Sequence, residues 1–433
     1  MMRRILDALY CPALFGALPY WLCKIPQARR YRAGVIERLG FVTPRESSRK
    51  CLWIHCASVG EASIPRELVR RFRERHPDWQ IVFSTMTDTG AERLRKLYPG
   101  SGVFYWPLDL SGCVDRALDR VRPDMLLLVE QELWPNAILG FRAAGVPVGI
   151  INGRIRQSSV PFVRTLIRLL RPISEAIRFC CARSEADAER YASVGLLRSR
   201  ISVSGSLKYE ALDAEVSPEE VEKLRSLFGF SPESPVLVGG STHPGEESLI
   251  AQVWDNLRKE YPDLRLVLAP RHIERADQLA VELSSAGFQV VRKTDLEDSA
   301  AQPDDDCLVL VDTIGDLVAC YAMATCVFVG RSLFPPGGGQ NMMEPAALGR
   351  PVIVGEHTGN FDPEMEILND SRAVIQVGDE EELQRVCARL LGNPAERKEL
   401  GRNARNAIRK NQGAAAKTIQ HVERLIGTVR SMR

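Results

Sequence analysis

Short apolar runs alternate with amphipathic segments along most of the chain. In the first half these runs are CLWIHCAS, QIVFSTM, GVFYWPLD, DMLLLVE, VPVGIING, FCCAR and ISVSGSLKY. The second half repeats the pattern with PVLVGGS, LRLVLAP, FQVVRK, CLVLVD, CVFVG and PVIVG. Continuous apolar runs are typical of parallel strands that are buried on both faces. The pattern therefore predicts an α/β protein with two parallel sheets, each covered by helices.

A length of 433 residues is more than one hydrophobic core usually serves, which favours two domains. We expect two Rossmann-like domains facing across a cleft, with ligands at the carboxyl ends of the strands. The linker is expected near Tyr209 to Pro218. This divides the chain into an amino-terminal segment (1–28), a first domain (29–213) and a second domain (214–433). The tail from Asn393 and Pro394 predicts one or two long helices.

Charge is nearly balanced overall but is concentrated at the amino terminus. The net charge is +2, which gives no bulk argument for a nucleic-acid partner. Residues 1–50, however, hold ten Lys or Arg against three acids. This excess favours either a local anionic partner, such as a membrane surface, or a solvated basic tail. The eleven cysteines form no CxxC pair, which argues against a zinc ribbon and favours a reducing compartment.

The first apolar stretch, residues 5–25, predicts a membrane anchor. It is long enough to cross a bilayer, which takes roughly 20 apolar residues. Asp7, Pro12 and Pro19 argue against a straight spanning helix. Aromatic residues such as Trp21, with flanking arginines, suit a helix in the membrane interface. An interfacial or re-entrant anchor is therefore favoured over a full span.

The segment SVGE, which ends at Glu61, follows the apolar run LWI and precedes an amphipathic segment. It predicts a tight turn from a strand into a helix that begins at Glu61. A helix N-terminus stabilises negative charge. Glu61 either caps this helix or is a functional carboxylate, and the local pattern leaves both readings open.

Two further carboxylates, Glu130 and Glu132, follow the run MLLLV in the segment VEQELWP. Acids beside a tryptophan at a strand end are unusual for core packing. They could hold a sugar or orient a catalytic group. The alternative is a helix cap with one solvated acid.

The second half has polar groups after two strands. VGGSTHPGEE offers backbone and hydroxyl donors, and APRH supplies cationic groups. No GK[ST] follows, so this is not a P-loop, yet the groups suit an anion. The residues concerned are Gly239, Gly240, Ser241, Thr242, His243, Arg271 and His272.

The segment GGGQNMMEP is the most specific motif of the second half. Three glycines (337–339) allow close approach of the backbone to a ligand. Glu344 lies at the start of the next helix, where it could accept hydrogen bonds from ribose hydroxyls. Alternatively, it is a first-turn acid that interacts with the helix dipole.

These motifs, in this order and with NGRI, GSLKYE and DTIGDL between them, resemble the 3-deoxy-D-manno-octulosonic acid (Kdo) transferase family. The resemblance runs from about residue 30 to the end of the second domain, and the amino-terminal anchor also matches. It implies a GT-B fold, CMP-Kdo as donor and a lipid A precursor (lipid IVA) as acceptor. It further implies inverting, metal-independent transfer without a cofactor on the cytoplasmic face of a Gram-negative-type inner membrane.

The resemblance also implies roles for residues. Glu61 would be the general base, kept ionised by the helix N-terminus, and Glu130 would belong to the catalytic group. Lys208 matches a family lysine that meets the carboxylate or phosphate of the donor. The implied donor-binding set is Lys208, Ser241, Thr242, His243, Arg271, His272, Gly315, Gly338, Gly339, Asn341 and Glu344, and no metal ligand is implied.

The chain departs from the family pattern at two places. Arg331 stands where the family usually has the second glycine of GGSL, and Gln340 replaces a histidine. Gln340 can donate a hydrogen bond but cannot carry charge. Two other functions remain open: a GT-B glycosyltransferase that uses another nucleotide sugar, and a non-catalytic membrane-bound protein that binds sugar nucleotides. Glu61, Arg271 and Glu344 together argue against loss of catalysis.

Overall fold

The chain folds into two units, each built around its own parallel sheet. A computed structural model describes residues 2–8, 10, 34–46, 48–212, 216–298 and 303–431. The first unit comprises Met1–Ala211 with Asn411–Arg433, and the second comprises Leu212–Lys410. The chain thus passes between units inside the linker that the sequence indicates.

Seven parallel strands form the first sheet: β1 (Cys51–His55), β2 (Gln80–Thr85), β3 (Gly102–Tyr105), β4 (Met125–Val129), β5 (Val148–Gly153), β6 (Ile177–Ala182) and β7 (Ile201–Val203). Their order across the sheet is β3-β2-β1-β4-β5-β6-β7. All residues of β1 and β4 are buried, because helices cover both faces. The strand order reverses between β1 and β4, which makes this the switch point where such sheets bind ligands.

After the helical residues 2–8, the helices of this half are α1 (Val35–Arg38), α2 (Val59–Ala62), α3 (Arg66–Arg75), α4 (Asp88–Leu97), α5 (Ser111–Val121), α6 (Pro135–Ala143), α7 (Val160–Leu169), α8 (Arg171–Ala176) and α9 (Glu185–Ser193). Alternate strand residues face two separate cores. Trp53 and Leu128 pack in the core beneath α5 to α9, whereas Ile54 and Val129 pack in the core beneath α3 and α4.

The second sheet also has seven parallel strands: β8 (Val236–Thr242), β9 (Arg265–Pro270), β10 (Gln289–Arg292), β11 (Cys307–Leu310), β12 (Cys326–Val329), β13 (Val352–Gly355) and β14 (Val374–Val377). Their order is β10-β11-β9-β8-β12-β13-β14, so the switch point lies between β8 and β12. The helices are α10 (Pro218–Leu227), α11 (Glu246–Arg258), α12 (Ala276–Ser285), α13 (Lys293–Asp298), α14 (Leu317–Met323), α15 (Met343–Ala347), α16 (Asp362–Asp370), α17 (Glu380–Gly392) and α18 (Pro394–Lys410).

The last helix, α19 (Ala414–Ser431), belongs to the first unit and not to the second. This differs from the second domain of residues 214–433 that the sequence predicts. Ile419 and Val422 are fully buried in the core beneath α3 and α4. The backbone N–H of Gly413 donates to the Glu210 carboxylate just before α19 begins. Apolar burial on that core, rather than proximity in sequence, decides where the helix lies.

Residues 2–8 of the expected anchor are helical and pack on the first unit. Leu6 is buried in the core beneath α5 to α9. Asp7 accepts hydrogen bonds from the backbone N–H of Ser111 and from Asn136 Nδ2, both at 2.9 Å. Residues 1, 9 and 11–28 of the expected amino-terminal segment lie outside the described residues. Within the described ranges, no helix combines the length and the apolar character that a membrane crossing needs.

Candidate active site

Three carboxylates predicted from the sequence gather at the switch point of the first sheet. Strands β1 and β4 pair in parallel, so their carboxyl ends lie side by side. Glu61 follows β1, and both Glu130 and Glu132 follow β4. The fold therefore brings two separate motifs, SVGE and EQELWP, to one edge.

Glu61 lies on a single helical turn, α2, and both of its carboxylate oxygens are held. Oε2 accepts a hydrogen bond from the backbone N–H of Ala57 at 2.9 Å. Oε1 accepts one from the Ser58 hydroxyl, also at 2.9 Å. The expected long helix from Glu61 is interrupted: α2 ends at Ala62 and α3 begins after Pro65. A proline inside a helix removes a backbone hydrogen bond and clashes with the preceding turn.

Burial raises the pKa of Glu61 to about 7, and the negative charges of Glu132 and Glu130 add to this effect. The hydrogen bonds from Ala57 and Ser58 oppose it only in part. The expectation that a helix N-terminus keeps Glu61 firmly ionised is therefore wrong. One turn of helix supplies little dipole, whereas desolvation and like charge act directly on the carboxylate. A carboxylate with a pKa near neutrality suits a general base.

Glu132 has the opposite tendency. Burial favours a higher pKa, but His55 and the hydrogen bond from Trp134 outweigh burial, and the net shift is downward. Trp134 Nε1 donates to Oε2 at 2.8 Å, and His55 Nε2 lies 3.7 Å from the same oxygen. Glu132 thus stays ionised beside Glu61, and the different surroundings separate the roles of the two acids.

His55 was not among the predicted site residues. It is the last residue of β1, fully buried, and its Nδ1 lies 3.0 Å from the Ser84 hydroxyl. Its place in the quoted strand CLWIHCAS was the available signal, because a histidine at a buried strand end needs polar partners. His55 connects Glu132 to the polar groups at the end of β2.

Glu130 has a left-handed backbone, with φ of 59°. This conformation is uncommon for residues other than glycine and is concentrated at functional sites. The surrounding structure holds it in place. Its N–H donates to the Ile151 carbonyl at 3.0 Å, and its own carbonyl accepts from the Tyr191 hydroxyl at 2.9 Å. Its carboxylate Oε1 lies 3.4 Å from Asn152 Nδ2 and 3.6 Å from Lys208 Nζ.

Asn152, at the end of β5, links Glu130 to the segment Ser206-Leu207-Lys208. Its φ is 51°, and its Oδ1 accepts from the Leu207 N–H at 2.9 Å. Lys208 was predicted together with the donor-binding residues of the second half. Lys208 belongs to the predicted first domain (29–213), and the structure places it in the first unit, beside Glu130.

In the second unit, the segment VGGST is mostly strand and not an open phosphate loop. Strand β8 runs through Gly239 and Gly240 to Thr242, with an irregular register against β9 between Gly240 and Thr242. A Cβ at Gly240 would overlap the Tyr321 hydroxyl, so this glycine is required for packing. Ser241 has a φ of 53°, and the carbonyl of Thr242 accepts from the Arg271 N–H at 3.0 Å.

A buried acid, Glu246, organises the loops that follow β8 and β12. It is 1% exposed and begins α11. Its carboxylate accepts backbone hydrogen bonds from His243 at 2.9 Å, Arg331 at 2.7 Å, Ser332 at 2.9 Å and Leu333 at 3.2 Å. Glu246 was not among the predicted residues, although it is the first acid of the motif HPGEE. It fixes the backbone at Arg331, whose φ is 57°.

Residues Gly337, Gly338 and Gly339 have φ values of 55°, 112° and 76°, which side-chain-bearing residues rarely adopt. The Gly338 N–H donates to the His357 carbonyl at 2.9 Å, and the Gly339 N–H donates to the Arg331 carbonyl at 2.8 Å. The loop is therefore tied down on both sides. It places Gln340 Nε2 at 3.2 Å from His243 Nε2, so the residue that departs from the family pattern contacts a predicted site residue.

Asn341 donates to Glu344 Oε1 at 2.9 Å and thereby orients this carboxylate. Burial raises the pKa of Glu344, and the Asn341 hydrogen bond and the charge of Arg271 oppose the rise. The rings of His243 and His272 are 5.6 Å apart.

Burial lowers the pKa of His243; Glu246 opposes this, whereas Arg331, His272 and Arg275 lower it further. Positive groups therefore gather beside Glu344 and His243, as an anion site requires. Gly315, with φ of 117°, lies in an exposed loop with open space around it. In the described part of the chain, no three or more His, Cys, Asp or Glu side chains are placed to hold a metal ion.

Solved structures share this fold. The UDP-GlcNAc 2-epimerase of Neisseria meningitidis has a TM-score of 0.58 at 16% identity and covers 87% of this chain and 100% of its own. A glycosyltransferase of Rickettsia africae has a TM-score of 0.55 at 11% identity and covers 88% of this chain and 99% of its own. These likenesses define a GT-B-like protein of two parallel-sheet α/β units.

Sequence comparison then gives the family. Residues 33–211 match the family model of 3-deoxy-D-manno-octulosonic-acid transferase (kdotransferase). The Kdo transferase of Haemophilus influenzae is 31% identical over 418 residues, covering 94% of this chain and 95% of the relative. The Kdo transferase of Bordetella pertussis is 29% identical over 435 residues, covering 97% of this chain and 99% of the relative. The chain belongs to the 3-deoxy-D-manno-octulosonic acid transferase family and is a Kdo glycosyltransferase.

Proposed function

We propose that the protein transfers Kdo from CMP-Kdo to the lipid A precursor lipid IVA, with inversion at the anomeric carbon, in lipopolysaccharide synthesis. The observation that carries the proposal is Glu61. It is a carboxylate at the switch point of the first sheet, held by Ala57 and Ser58, with a pKa of about 7. Membership of the Kdo transferase family supports the same chemistry.

In the proposed reaction, Glu61 takes the proton from a hydroxyl of the acceptor as that oxygen attacks the anomeric carbon of Kdo. The bond between the anomeric carbon and the phosphate oxygen breaks, and CMP leaves with the electron pair. A single displacement from the opposite side inverts the configuration. Glu130 holds Lys208 at 3.6 Å, and this lysine is proposed to meet the carboxylate of the Kdo group.

CMP is proposed to bind the second unit. Arg271 supplies a cationic group for the phosphate, and charge-assisted hydrogen bonds to phosphate are strong. His272 and His243 are proposed to donate ring N–H hydrogen bonds to the phosphate. Glu344, oriented by Asn341, is proposed to accept from the ribose hydroxyls. The backbone from Ser241 to Thr242, the glycines Gly338 and Gly339 and the loop at Gly315 are proposed to line the site. No cofactor is part of this proposal.

The protein is further proposed to act at the cytoplasmic face of the inner membrane, where a lipid acceptor is presented. The excess of basic residues in 1–50 supports a contact with anionic lipid. The apolar stretch of residues 5–25 supports an interfacial anchor.

The test is to incubate the purified protein with CMP-Kdo and lipid IVA and to follow the acceptor by mass spectrometry. A gain of one or more Kdo residues is expected, and UDP- or GDP-sugars in place of CMP-Kdo should give none. A gain only with UDP- or GDP-sugars would support a different glycosyltransferase. Tight binding of CMP-Kdo without any transfer would support a non-catalytic protein.

A further inference from the structure

Helix α7 carries apolar side chains on two opposite faces. Val160, Val163 and Ile167 are buried in the core beneath α5 to α9. Phe162 and Leu169, however, are 72% and 75% exposed. They are seven residues apart, about two helical turns, and therefore project from the same side. A surface helix ordinarily has polar residues on the side away from its core, so this exposed ridge needs a partner.

The segment around this ridge is strongly basic. Residues 154–171 contain five arginines and no acid: Arg154, Arg156, Arg164, Arg168 and Arg171. The acids nearest in the chain are paired with other arginines. Glu175 lies 2.8 Å from Arg142, and Glu185, the next acid along the chain, lies 3.7 Å from Arg198. The positive charge of the segment is therefore available to a partner.

The location of α7 fits a membrane contact. It covers the same face of the first sheet as the amino-terminal helix, because Leu6 and Val160 belong to one core. It begins seven residues after β5, whose end places Asn152 beside Glu130. The exposed ridge is thus on the unit that carries Glu61 and on the side of the sheet where the helix within residues 2–8 packs.

We propose that this face of α7 binds the surface of an anionic lipid bilayer. Phe162 and Leu169 insert at the level of the headgroups. Arg164 and Arg168, four residues apart along one flank, bind lipid phosphates and keep their charges in water. The inference rests on the proposed lipid acceptor, because the contact would hold the enzyme where that acceptor lies. It adds to the amino-terminal anchor and does not replace it.

The experiment measures sedimentation of the full-length protein with vesicles of pure phosphatidylcholine or of phosphatidylcholine mixed with phosphatidylglycerol. R164Q/R168Q should weaken binding to the anionic vesicles by about fivefold per arginine and should change binding to neutral vesicles little. F162Q/L169Q should weaken binding to both vesicles by about tenfold or more, since the lost contribution is apolar insertion.

Matched controls lie on the second unit. V281Q removes another exposed apolar side chain, 65% exposed on α12, and R402Q/R409Q removes two exposed arginines from α18. Both control variants should bind as the wild type does. If the α7 variants melt like the wild type yet also bind vesicles equally well, the proposal is wrong. No substrate is present in this assay, so its outcome is independent of whether Kdo transfer is observed.

Discussion

The Ser58 hydroxyl donates a 2.9 Å hydrogen bond to Oε1 of Glu61. The N–H of Ala57 donates to the other oxygen at 2.9 Å, so the carboxylate has one orientation at the edge of the first sheet. Burial, with Glu132 close by, raises its pKa to about 7. The same residue is therefore fixed in place and ready to exchange a proton near neutral pH. This combination leads to the predictions on Glu61.

The turnover number should rise with pH through about 7, because only ionised Glu61 can accept the proton. Turnover measured between about pH 5.5 and pH 8.5 should show this single acidic limb. E132Q removes a negative charge that raises the pKa of Glu61, so the limb should move to lower pH. E92Q, an exposed acid on α4, should leave it in place. A turnover number that does not change with pH in the wild type would contradict the assignment. The same apparent pKa in the wild type and in E132Q would also contradict it.

The stability of the protein should depend on the same titration. The pKa of Glu61 is about 7 in the folded state against an ordinary 4.5, so its contribution to stability is complete below about 4.5. That contribution is lost as the pH rises through about 7. Glutamine does not ionise, so from pH 5 to pH 8 the difference in unfolding free energy should move in favour of E61Q by about 2–3 kcal/mol. Denaturant unfolding at both pH values measures it, and a pH-independent difference would refute the raised pKa.

Loss of the Glu246 carboxylate should disrupt the loops that follow β8 and β12. Glutamine keeps one oxygen and replaces the other with an NH₂ group. E246Q therefore leaves one pair of backbone N–H groups, either His243 and Arg331 or Ser332 and Leu333, facing a donor instead of an acceptor. We expect a loss of about 2–4 kcal/mol in unfolding free energy and weaker binding of CMP. E247Q is the matched control, because Glu247 is equally buried on α11 but pairs with Arg275. E247Q should keep the CMP affinity, measured by calorimetry, and equal losses in both variants would remove the special role of Glu246.

Glu344 should discriminate ribose from deoxyribose. E344Q should weaken binding of CMP more than binding of dCMP, because only CMP offers the 2′-hydroxyl. R271A should weaken both nucleotides by roughly 10- to 150-fold, since it removes a charge-assisted bond worth about 1.5–3 kcal/mol. Calorimetry with the full-length protein tests both variants. Equal losses for CMP and dCMP in E344Q would indicate that Glu344 only caps its helix.

Much of the fold can be predicted from the sequence, because buried parallel strands have continuous apolar runs. Runs such as MLLLV are fully buried in the sheet. Strand β14, which has the sequence VIQV, was not predicted. It is a half-exposed edge strand with a polar residue, so it lacks the apolar run that marks the others. The return of α19 to the first unit was also missed, because an amphipathic period does not specify which core a helix covers.

The candidate site was predicted where residues follow strands directly, as Glu61 and Glu130 do. What the chain does not show is which polar groups meet across strands. The pKa of Glu61 depends on Glu132, which arrives from β4, 71 positions along the chain. Glu246 resembles an ordinary first-turn acid until the loop after β12 folds onto it. Lys208 follows the last strand of its sheet, and only the fold places it beside Glu130.

The most direct test of the account is the rate of Kdo transfer from CMP-Kdo to lipid IVA by E61Q, with CMP affinity measured on the same preparations. Glutamine keeps the size of the side chain but cannot accept the proton. Removal of a general base typically costs about 10²–10⁴-fold in rate. The account predicts a loss of this size with CMP affinity unchanged. Transfer by E61Q within about threefold of the wild type would contradict it.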